Sequence, residues 1–426
     1  MKQIILPQKE DWTSLIERPT LNKKELTKDV RTIVETVRNE GDTALIQFAK
    51  KFDGVQLNSL LVTKKEIEVA NSTVSKELKD AINTAKQNIE KFHKSQQFDE
   101  PIVETTAGVK CWRKSVAIDK VGLYIPGGSA PLFSTILMLV IPAKIAGCKE
   151  IILCTPPNKD GTIHPAILYT ANLLGVTTVI KAGGAQAIAA MALGTKSVSR
   201  VNKIFGPGNQ YVTKAKELIQ QEGIAIDMPA GPSEVLIIAD KTCNPSFVAA
   251  DLLSQAEHGE DSQVILLTNN YEVVTEVEQE LEKQIEELPR KNIAAKALEN
   301  SKIIQLKNLE DCFEFSNNYA PEHLIIATQN ANEWIDKVRN AGSVFLGNYS
   351  CESAGDYASG TNHTLPTNGY AKSYSGVSLD SFVKKITFQE LSKEGIKNIG
   401  PSIEIMAEAE ELFAHKNAVT LRLNEQ

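Results

Sequence analysis

The 426-residue chain has few of the features that mark specialised protein classes. Its six cysteines are dispersed and form no C-x-x-C pair, so we interpret them as reduced thiols and not as a disulfide scaffold. Basic residues are not in excess, because 46 Lys and Arg face 53 Asp and Glu, which gives a net charge of −7. A negative chain generates no field that attracts nucleic acid or anionic lipid. These absences disfavour nucleic acid and membrane surfaces as partners.

Long apolar runs are also missing. The longest, residues 132–141, is interrupted by Ser134 and Thr135, closed by Pro142, and about half the ~20 residues that a transmembrane helix needs. The first residues, MKQIILPQKEDW, have too short an apolar run and too early a charge for a signal peptide. We therefore expect a cytoplasmic protein.

The composition, 42% hydrophobic and 23% charged, is typical of a globular protein of two or three domains. Residues 1 to about 100 have helical periodicity, and His93, among lysines, is expected at a solvated surface. From about 115, strand candidates ending in Gly or Pro alternate with helices, and the pattern restarts near 237. This alternation predicts two successive α/β modules with parallel sheets. Residues 385–426 read as helices followed by a short tail.

Four predicted strands end in turns rich in Gly and Pro. They are PGGSAP (126–131), AGGAQA (182–187), FGPGNQ (205–210) and PAGPSE (229–234). Such turns let backbone N–H groups approach a ligand, and the helix N-terminus that follows favours phosphate. The chain has no G-x-G-x-x-G, so ordinary βα turns remain an alternative. Polar residues that follow the turns, Gln186, Asn209 and Ser233, favour a nucleotide or substrate cleft.

Four of the six histidines follow residue 250, each beside an acid or an amide. The groupings are Gln255 with His258, Glu322 with His323, Asp356 with His363, and Glu410 with His415. Each histidine alone could be structural, but together they favour one polar site. Nitrogen and oxygen donors without thiolate suit a catalytic zinc, and the donors in excess would be acid–base groups. His164 is expected to be a capping or surface residue.

These motifs together resemble the histidinol dehydrogenase family. In the order of the family they are VGLYIPGGSAPLFST, KAGGAQAIAA, FGPGNQYVTKAK, DMPAGPSE, LLSQAEHG, YAPEHL, GSVFLG, ESAGDYASGTNHTLPT and AHKNAVTLR. The resemblance extends from about residue 20 to LRLN near the end. It implies oxidation of L-histidinol to L-histidine through L-histidinaldehyde, with two NAD⁺ and water. It also implies two Rossmann-like domains of the aldehyde-dehydrogenase type and a helical C-terminal segment.

The resemblance assigns roles to individual residues. One Zn²⁺ per subunit would be held by Gln255, His258, Asp356 and His415, and Glu322 and His323 would be the acid–base pair. NAD would contact Tyr124, Gln186 and Asn209. The substrate would contact Ser233, His363 and Glu410 together with His323 and the metal ligands. Family members are homodimers in which the C-terminal segment completes the partner's site, which would bring in His415, and perhaps Glu410, from the other subunit.

On this basis we expect three parts. Residues 1–114 with 237–384 would form an α/β domain with most of the zinc and catalytic residues, and residues 115–236 would form the NAD-binding domain. Residues 385–426 would be a helical segment contributed to the partner subunit. Because adjacent residues of a strand point to opposite faces, we also predict a backbone turn at Pro321 that brings Glu322 and His323 to one substrate.

Three alternatives stay open. The first is a cysteine-dependent route, like that of aldehyde dehydrogenases, at Cys148 or Cys154, although both read as buried apolar residues. The second is a zinc hydrolase. The third is a non-catalytic nucleotide-binding protein.

Overall fold

The computed structural model describes residues 1–19, 23–127, 130–176 and 178–425. The strands are β1 (Lys2–Ile5), β2 (Val103–Thr106), β3 (Val109–Ala117), β4 (Lys120–Tyr124), β5 (Glu150–Thr155), β6 (Thr178–Lys181), β7 (Lys203–Phe205), β8 (Ala225–Ile226), β9 (Glu234–Ala239), β10 (Gln263–Thr268), β11 (Lys302–Gln305), β12 (His323–Ala327), β13 (Ser343–Leu346) and β14 (Val383–Leu391). The helices are α1 (Trp12–Leu15), α2 (Lys23–Glu40), α3 (Asp42–Phe48), α4 (Lys64–Thr73), α5 (Lys76–Lys94), α6 (Phe133–Ala146), α7 (Pro165–Leu173), α8 (Gly184–Leu193), α9 (Gln210–Ile219), α10 (Pro245–Ala256), α11 (Tyr271–Ile285), α12 (Lys291–Glu299), α13 (Leu309–Tyr319), α14 (Glu352–Tyr357), α15 (Lys393–Ala409) and α16 (Phe413–Leu423).

The strands form two parallel sheets and one small antiparallel sheet. One parallel sheet has five strands in the order β6-β5-β4-β7-β8, and the other has six in the order β1-β11-β10-β9-β12-β13. All residues of β9 and β10 are buried, as expected for a parallel sheet covered by helices on both faces. The prediction of two parallel-sheet α/β modules is confirmed.

Helices α2, α4 and α5 pack on the five-stranded module. Helix α2 contacts α8 and α9, α4 contacts α7, and α5 contacts α6. Val37 and Leu45 share a hydrophobic core with Ile188. Trp12 and Leu15 of α1 instead lie in a core of the six-stranded module, and β1 joins that sheet by pairing with β11. The division that groups residues 1–114 with 237–384 stays a prediction.

The antiparallel sheet, in the order β14-β3-β2, was not predicted. The prediction that residues 385–426 are helical is wrong for the segment up to Leu391. Ile386 and Phe388 alternate with polar residues there, which favours a strand, and Phe388 stacks on Trp112 of β3 with ring centroids 5.6 Å apart. Helix α15 follows and packs on α16, so the predicted tail is helical as well.

Helix α6 contains the most apolar run noted in the sequence and lies in the core, with residues 134–143 all buried. Its apolar character therefore reflects burial on every side. Among the residues that the structure describes, no helix combines the length and hydropathy needed to cross a membrane.

Candidate active site

The histidine–carboxylate groups lie where the two parallel sheets meet. The chain leaves β8 of the five-stranded sheet, runs through residues 227–233, and enters β9 of the six-stranded sheet at Glu234. His323 begins the neighbouring strand β12 and is in register with Val235. The site is therefore built at the amino edge of one sheet, opposite the carboxyl edge of the other.

The backbone turns just before β12. Helix α13 ends at Ala320 in a left-handed conformation (φ +55°), Pro321 cannot continue the helix, and the chain bends at Glu322. As a result, Glu322 Oε2 lies 3.7 Å from His323 Nδ1 although the residues are consecutive. The predicted turn is present. Glu322 Oε2 also accepts a hydrogen bond of 2.9 Å from the Glu234 backbone N–H.

His323 is a buried imidazole among carboxylates. Its Nδ1 lies 3.1 Å from the Glu234 carbonyl oxygen, so this nitrogen carries a proton and donates it. Its Nε2 lies 3.6 Å from Asp356 Oδ1. Burial opposes protonation, but the carboxylates of Glu352, Glu322 and Asp356 together raise the pKa of His323 well above its usual value. Burial also raises the pKa of Glu322 to about 8.

Two further carboxyl groups come from the short helix α14. Glu352 and Asp356 are one turn apart and therefore share a helix face. Glu352 is 1% exposed, and its Oε1 lies 4.0 Å from His323 Nδ1. Our sequence reasoning missed Glu352, although the i, i+4 spacing within ESAGD could have indicated it. Gly355 lets α14 approach β13, because a Cβ there would lie 2.7 Å from the Phe345 ring.

This cluster has ligand atoms of the kind that a cation requires, and several of them have no hydrogen-bond partner among the described residues. One ligand atom each from His323, Glu352 and Asp356 lie within 4.8 Å of one another. In the described part of the chain, His323 Nε2, Glu352 Oε2 and Asp356 Oδ1 are all buried without a hydrogen-bond partner. Unpaired buried polar atoms are costly, and a divalent ion would satisfy all three at once. The residues therefore fit a metal.

The predicted ligands Gln255 and His258 border the same cluster. In the orientation that satisfies its neighbours, the Gln255 amide nitrogen donates to Glu352 Oε1 over 2.6 Å, and its oxygen accepts from His323 Nδ1 over 3.2 Å. His258 keeps an exposed edge. Burial of its ring lowers the pKa of His258, and the nearby charge of Asp356 opposes this shift. Both residues are thus within reach of Asp356 from the helix α10 side.

His363 connects the cluster to the five-stranded module. Its Nδ1 lies 2.9 Å from the Asp356 carbonyl oxygen, and its Nε2 lies 3.1 Å from Thr135 Oγ1 in the first turn of α6. Next to it, Asn362 donates to the Met138 carbonyl oxygen of α6 over 2.6 Å. The loop that carries Asp356 and His363 is therefore tied to the helix that follows the first glycine-rich turn.

A cavity of about 1150 Å³ opens at the carboxyl edge of the five-stranded sheet. The three predicted NAD contacts, Tyr124, Gln186 and Asn209, all line it. Helix α8 begins there at Gly184 without a cap from the side chain of its N-cap residue, so the N–H groups that follow Gly184 can meet an anion. Gly128 and Ser129 of the first glycine-rich turn lie outside the described residues.

The cavity side chains are held in place by local hydrogen bonds. The Tyr124 hydroxyl accepts from the Gly184 N–H over 3.0 Å, and burial raises the pKa of Tyr124 to about 12, so it stays protonated. Asn209 Oδ1 caps helix α9, which leaves its amide N–H groups for a ligand. His164 caps α7 by accepting from the Ala166 N–H over 3.2 Å, as expected for a capping residue.

The remaining predicted residues lie elsewhere. Ser233 directly precedes Glu234 and is beside the cluster. His415 is exposed on α16, and Glu410 is exposed at the end of α15. Over the described ranges, no hydrogen bond or ion pair joins either residue to the cluster. Within one chain, the structure thus brings together most of the predicted donors but not the two C-terminal ones.

The cysteine alternative finds no support in the geometry. Cys154 is fully buried in the core of the five-stranded module, and burial raises the pKa of its thiol. Burial also raises the pKa of the Cys148 thiol to about 11. Neither thiol can supply thiolate near neutral pH, which agrees with reading both as packing residues.

A buried imidazole among carboxylates, together with a separate cavity at the ends of parallel strands, defines a two-module α/β enzyme with acid–base chemistry. Sequence comparison gives its family. The chain belongs to the histidinol dehydrogenase family, whose profile matches residues 16–423, and is therefore an oxidoreductase. The histidinol dehydrogenase of Bacteroides thetaiotaomicron is 62% identical over 100% of this chain and 99% of its own length. That of Escherichia coli O6:H1 is 53% identical over 97% of each.

Solved structures agree with this assignment. The crystal structure of histidinol dehydrogenase from Elizabethkingia anophelis is 60% identical, has a TM-score of 0.96, and is matched over 99% of this chain and 98% of that one. A betaine aldehyde dehydrogenase from Staphylococcus aureus, 12% identical, has a TM-score of 0.50 over 89% of this chain and 85% of that one. This more distant likeness shows the fold alone. The expected aldehyde-dehydrogenase-like fold is confirmed.

Proposed function

We propose that this chain oxidises L-histidinol to L-histidine through L-histidinaldehyde, with two NAD⁺ and one water, in histidine biosynthesis. The observation that carries the proposal is the buried His323, whose Nε2 lies 3.6 Å from Asp356 Oδ1 and has no hydrogen-bond partner among the described residues. Family membership supports the substrate. Such an enzyme would act on a small molecule in the cytoplasm, without nucleic acid or membrane.

We assign one Zn²⁺ per subunit to Gln255, His258 and Asp356 of one chain and His415 of its partner. When bound, the metal would orient the imidazole and the amine of histidinol and polarise its oxygen. The unpartnered Asp356 Oδ1 supports this assignment. His323, Glu352 and Asp356 form the competing ligand set within one chain.

His323 is the proposed base for both oxidations. Because Nδ1 donates to the Glu234 carbonyl, Nε2 is the nitrogen that would take the proton. The surrounding carboxylates raise the pKa of His323, so it would act as a base only once Nε2 has lost its own proton. In the first step His323 would take the hydroxyl proton while hydride leaves the carbinol carbon for NAD⁺, which gives the aldehyde. In the second step it would take a proton from the aldehyde hydrate while hydride passes to a second NAD⁺, which gives the acid.

Glu322 is the proposed group that activates water between the two oxidations. Its Oε2 is fixed by the Glu234 N–H, and the other carboxylate oxygen can face the substrate. Glu322 would accept a proton from water as the water oxygen bonds to the aldehyde carbon, and His323 would return the proton it took in the first step to the carbonyl oxygen. This gives the aldehyde hydrate and leaves His323 able to act as a base again. Ser233, His363 and Glu410 would complete the substrate contacts, the last from the partner.

NAD would bind in the cavity at the end of the five-stranded sheet. Tyr124, Gln186 and Asn209 line it, and the open N-terminus of α8 would receive the pyrophosphate. Hydride transfer requires the nicotinamide to extend from this cavity toward His323. The contact of Thr135 with His363 supports that path, because Thr135 follows closely after Ala130 and Pro131 of the cavity wall.

A homodimer would complete the site. The C-terminal helices expose several large apolar side chains, which are Ile405, Met406, Leu412, Phe413 and Leu421. Exposed apolar residues at this density favour burial against another chain. We propose that this burial in a partner brings His415 to the zinc.

Absorbance at 340 nm, measured with L-histidinol and NAD⁺, tests the proposal. The zinc-loaded protein should release two NADH for each histidinol consumed and produce L-histidine. Release of one NADH per histidinol, with accumulation of the aldehyde, would show that the protein catalyses only the oxidation of the alcohol. No NADH, with hydrolysis of an ester or amide instead, would favour the zinc hydrolase.

A further inference from the structure

The cavity wall opposite the strand ends is formed by a helical segment that is not part of the sheet. Helix α3 ends at Phe48 and continues as a π-helical turn, Ala49–Asp53. Gly54 closes the turn in a left-handed conformation (φ +70°). Phe48, Phe52 and Asp53 from this segment all line the cavity. Single π turns of this kind often occur at functional sites.

The Asp53 carboxylate is held at the cavity without a donor. Its Oδ2 is buried and has no hydrogen-bond partner among the described residues. Burial alone raises the pKa of Asp53 to about 6, and its charge in turn raises the pKa of the nearby Tyr124. An acceptor that the fold leaves unsatisfied beside a ligand cavity is suited to a hydroxyl donor from the ligand.

An aromatic surface adjoins this carboxylate. The rings of Phe48 and Phe52 stack with centroids 5.5 Å apart and an interplanar angle of 5°. Phe52 is 51% exposed although it is large and apolar. An exposed ring beside a carboxylate matches the two parts of a nucleoside, because a base stacks on an aromatic face and a ribose donates hydroxyl hydrogen bonds.

We propose that Asp53 selects the unphosphorylated dinucleotide, by accepting hydrogen bonds from a ribose diol and repelling a 2′-phosphate. The inference rests on the proposed use of NAD and adds the residue that decides between NAD and NADP. A carboxylate accepts two hydroxyl donors, whereas a phosphate in the same place would put like charges together. Lys159 also lines the cavity and is available to the pyrophosphate, whereas Lys51 Nζ lies 5.2 Å from the centre of the Phe52 ring.

The test compares Asp53→Asn with Asp80→Asn, which removes an exposed carboxylate from helix α5, outside the cavity wall. Losing hydrogen bonds to a charged group should raise KM for NAD⁺ about tenfold or more with kcat little changed in Asp53→Asn, and lower the NAD/NADP ratio of kcat/KM by a similar factor. Asp80→Asn should leave both quantities near those of the wild type. An unchanged ratio in Asp53→Asn would overturn the inference.

Calorimetric binding of ADP-ribose and 2′-phospho-ADP-ribose separates this inference from the proposed reaction. Asp53→Asn should weaken binding of ADP-ribose and improve that of its 2′-phosphate relative to the wild type. If the wild type forms no NADH from histidinol but Asp53→Asn still changes this preference, the proposed function fails and the inference stands. If Asp53→Asn does not fold, Asp53→Glu, which keeps the charge, must retain the preference of the wild type, and losing it would refute the role of the carboxylate.

Discussion

Arg18 donates two parallel hydrogen bonds to the Glu234 carboxylate, from Nε to Oε1 over 2.5 Å and from Nη2 to Oε2 over 2.9 Å. The guanidinium also lies 3.8 Å above the ring of Tyr319, the last residue before the turn that leads to Glu322. The backbone of Glu234 in turn contacts Glu322 and His323. A residue near the N-terminus thus anchors the backbone on which the acid–base pair rests.

Replacing Arg18 by Met should therefore lower the free energy of unfolding by about 3–5 kcal/mol, because it leaves the buried Glu234 charge unpaired. Arg18→Lys is the matched control, since it keeps the charge but loses the paired geometry. Its free energy of unfolding should lie between those of Arg18→Met and the wild type. Urea denaturation measures both. Equal stability of Arg18→Met and the wild type would show that the pair contributes nothing net.

His323→Asn should suppress both oxidations, whereas Glu322→Gln should mainly slow the oxidation of the aldehyde. A positioned acid or base contributes about 10²–10⁴-fold to a rate, which sets the expected loss. The measurement is NADH formation from histidinol and, separately, from histidinaldehyde. Equal losses in the two half-reactions of Glu322→Gln would contradict this division of roles.

Zinc affinity decides between the two candidate ligand sets. With Gln255, His258, Asp356 and the partner subunit's His415 as ligands, His258→Asn should weaken zinc binding by on the order of 100-fold or more. His323→Asn should then keep its zinc while losing activity. Competition with a chromophoric chelator measures both affinities. Loss of zinc from His323→Asn and Glu352→Gln, but not from His258→Asn, would assign the metal to the cluster within one chain.

Mixing two inactive variants tests whether the site is shared. His415→Asn and His323→Asn homodimers should each be inactive, but each heterodimer should recover one of its two sites if His415 acts in the partner. Activity is followed after the two are unfolded and refolded together, with each variant refolded alone as the control. No recovery in verified heterodimers would place all ligands within one chain.

Stability should depend on pH through Asp251, which faces Glu352 from helix α10. Burial raises the pKa of Asp251 from 3.8 to about 7, so ionising it destabilises the fold above pH 7, and this cost disappears below pH 4. Asp251→Asn should thus be more stable than the wild type at pH 8, by on the order of 1–3 kcal/mol, and no more stable near pH 4. Thermal unfolding at both pH values measures this. A gain that is equal at both values would point to packing and not to charge.

Much of the fold follows from local pattern. Each strand of the two parallel sheets that lies beyond residue 115 is a β-branched run ending in Gly, Pro or a polar turn, and each appears in the structure. β1 and β14 are different, because their pairing partners are distant in sequence. Val383 of β14 pairs with Ala117, and Lys2 of β1 pairs with Lys302. Short amphipathic segments become strands there only because another segment offers a free edge.

The burial of His93 could not be predicted from its neighbours in the sequence. Its lysine neighbours indicated a solvated surface, and that prediction is wrong, because the residue is fully buried. Its Nδ1 bonds to the Ile89 carbonyl oxygen, and its Nε2 lies 3.3 Å from Asn362 Nδ2, next to His363. The lysines mark the outer face of α5, while the opposite face supports the active-site loop. At the end of a helix, the neighbouring residues in the sequence do not show which side chain points to the buried face.

The meeting of an amino edge with a carboxyl edge has a kinetic consequence for the proposed reaction. Loops of the five-stranded module would hold the nucleotide, and the strand starts of the six-stranded module would hold the carbon skeleton. Spent coenzyme can then depart by its own route while the aldehyde stays fixed, so one enzyme can perform two successive oxidations without losing a reactive intermediate to solution.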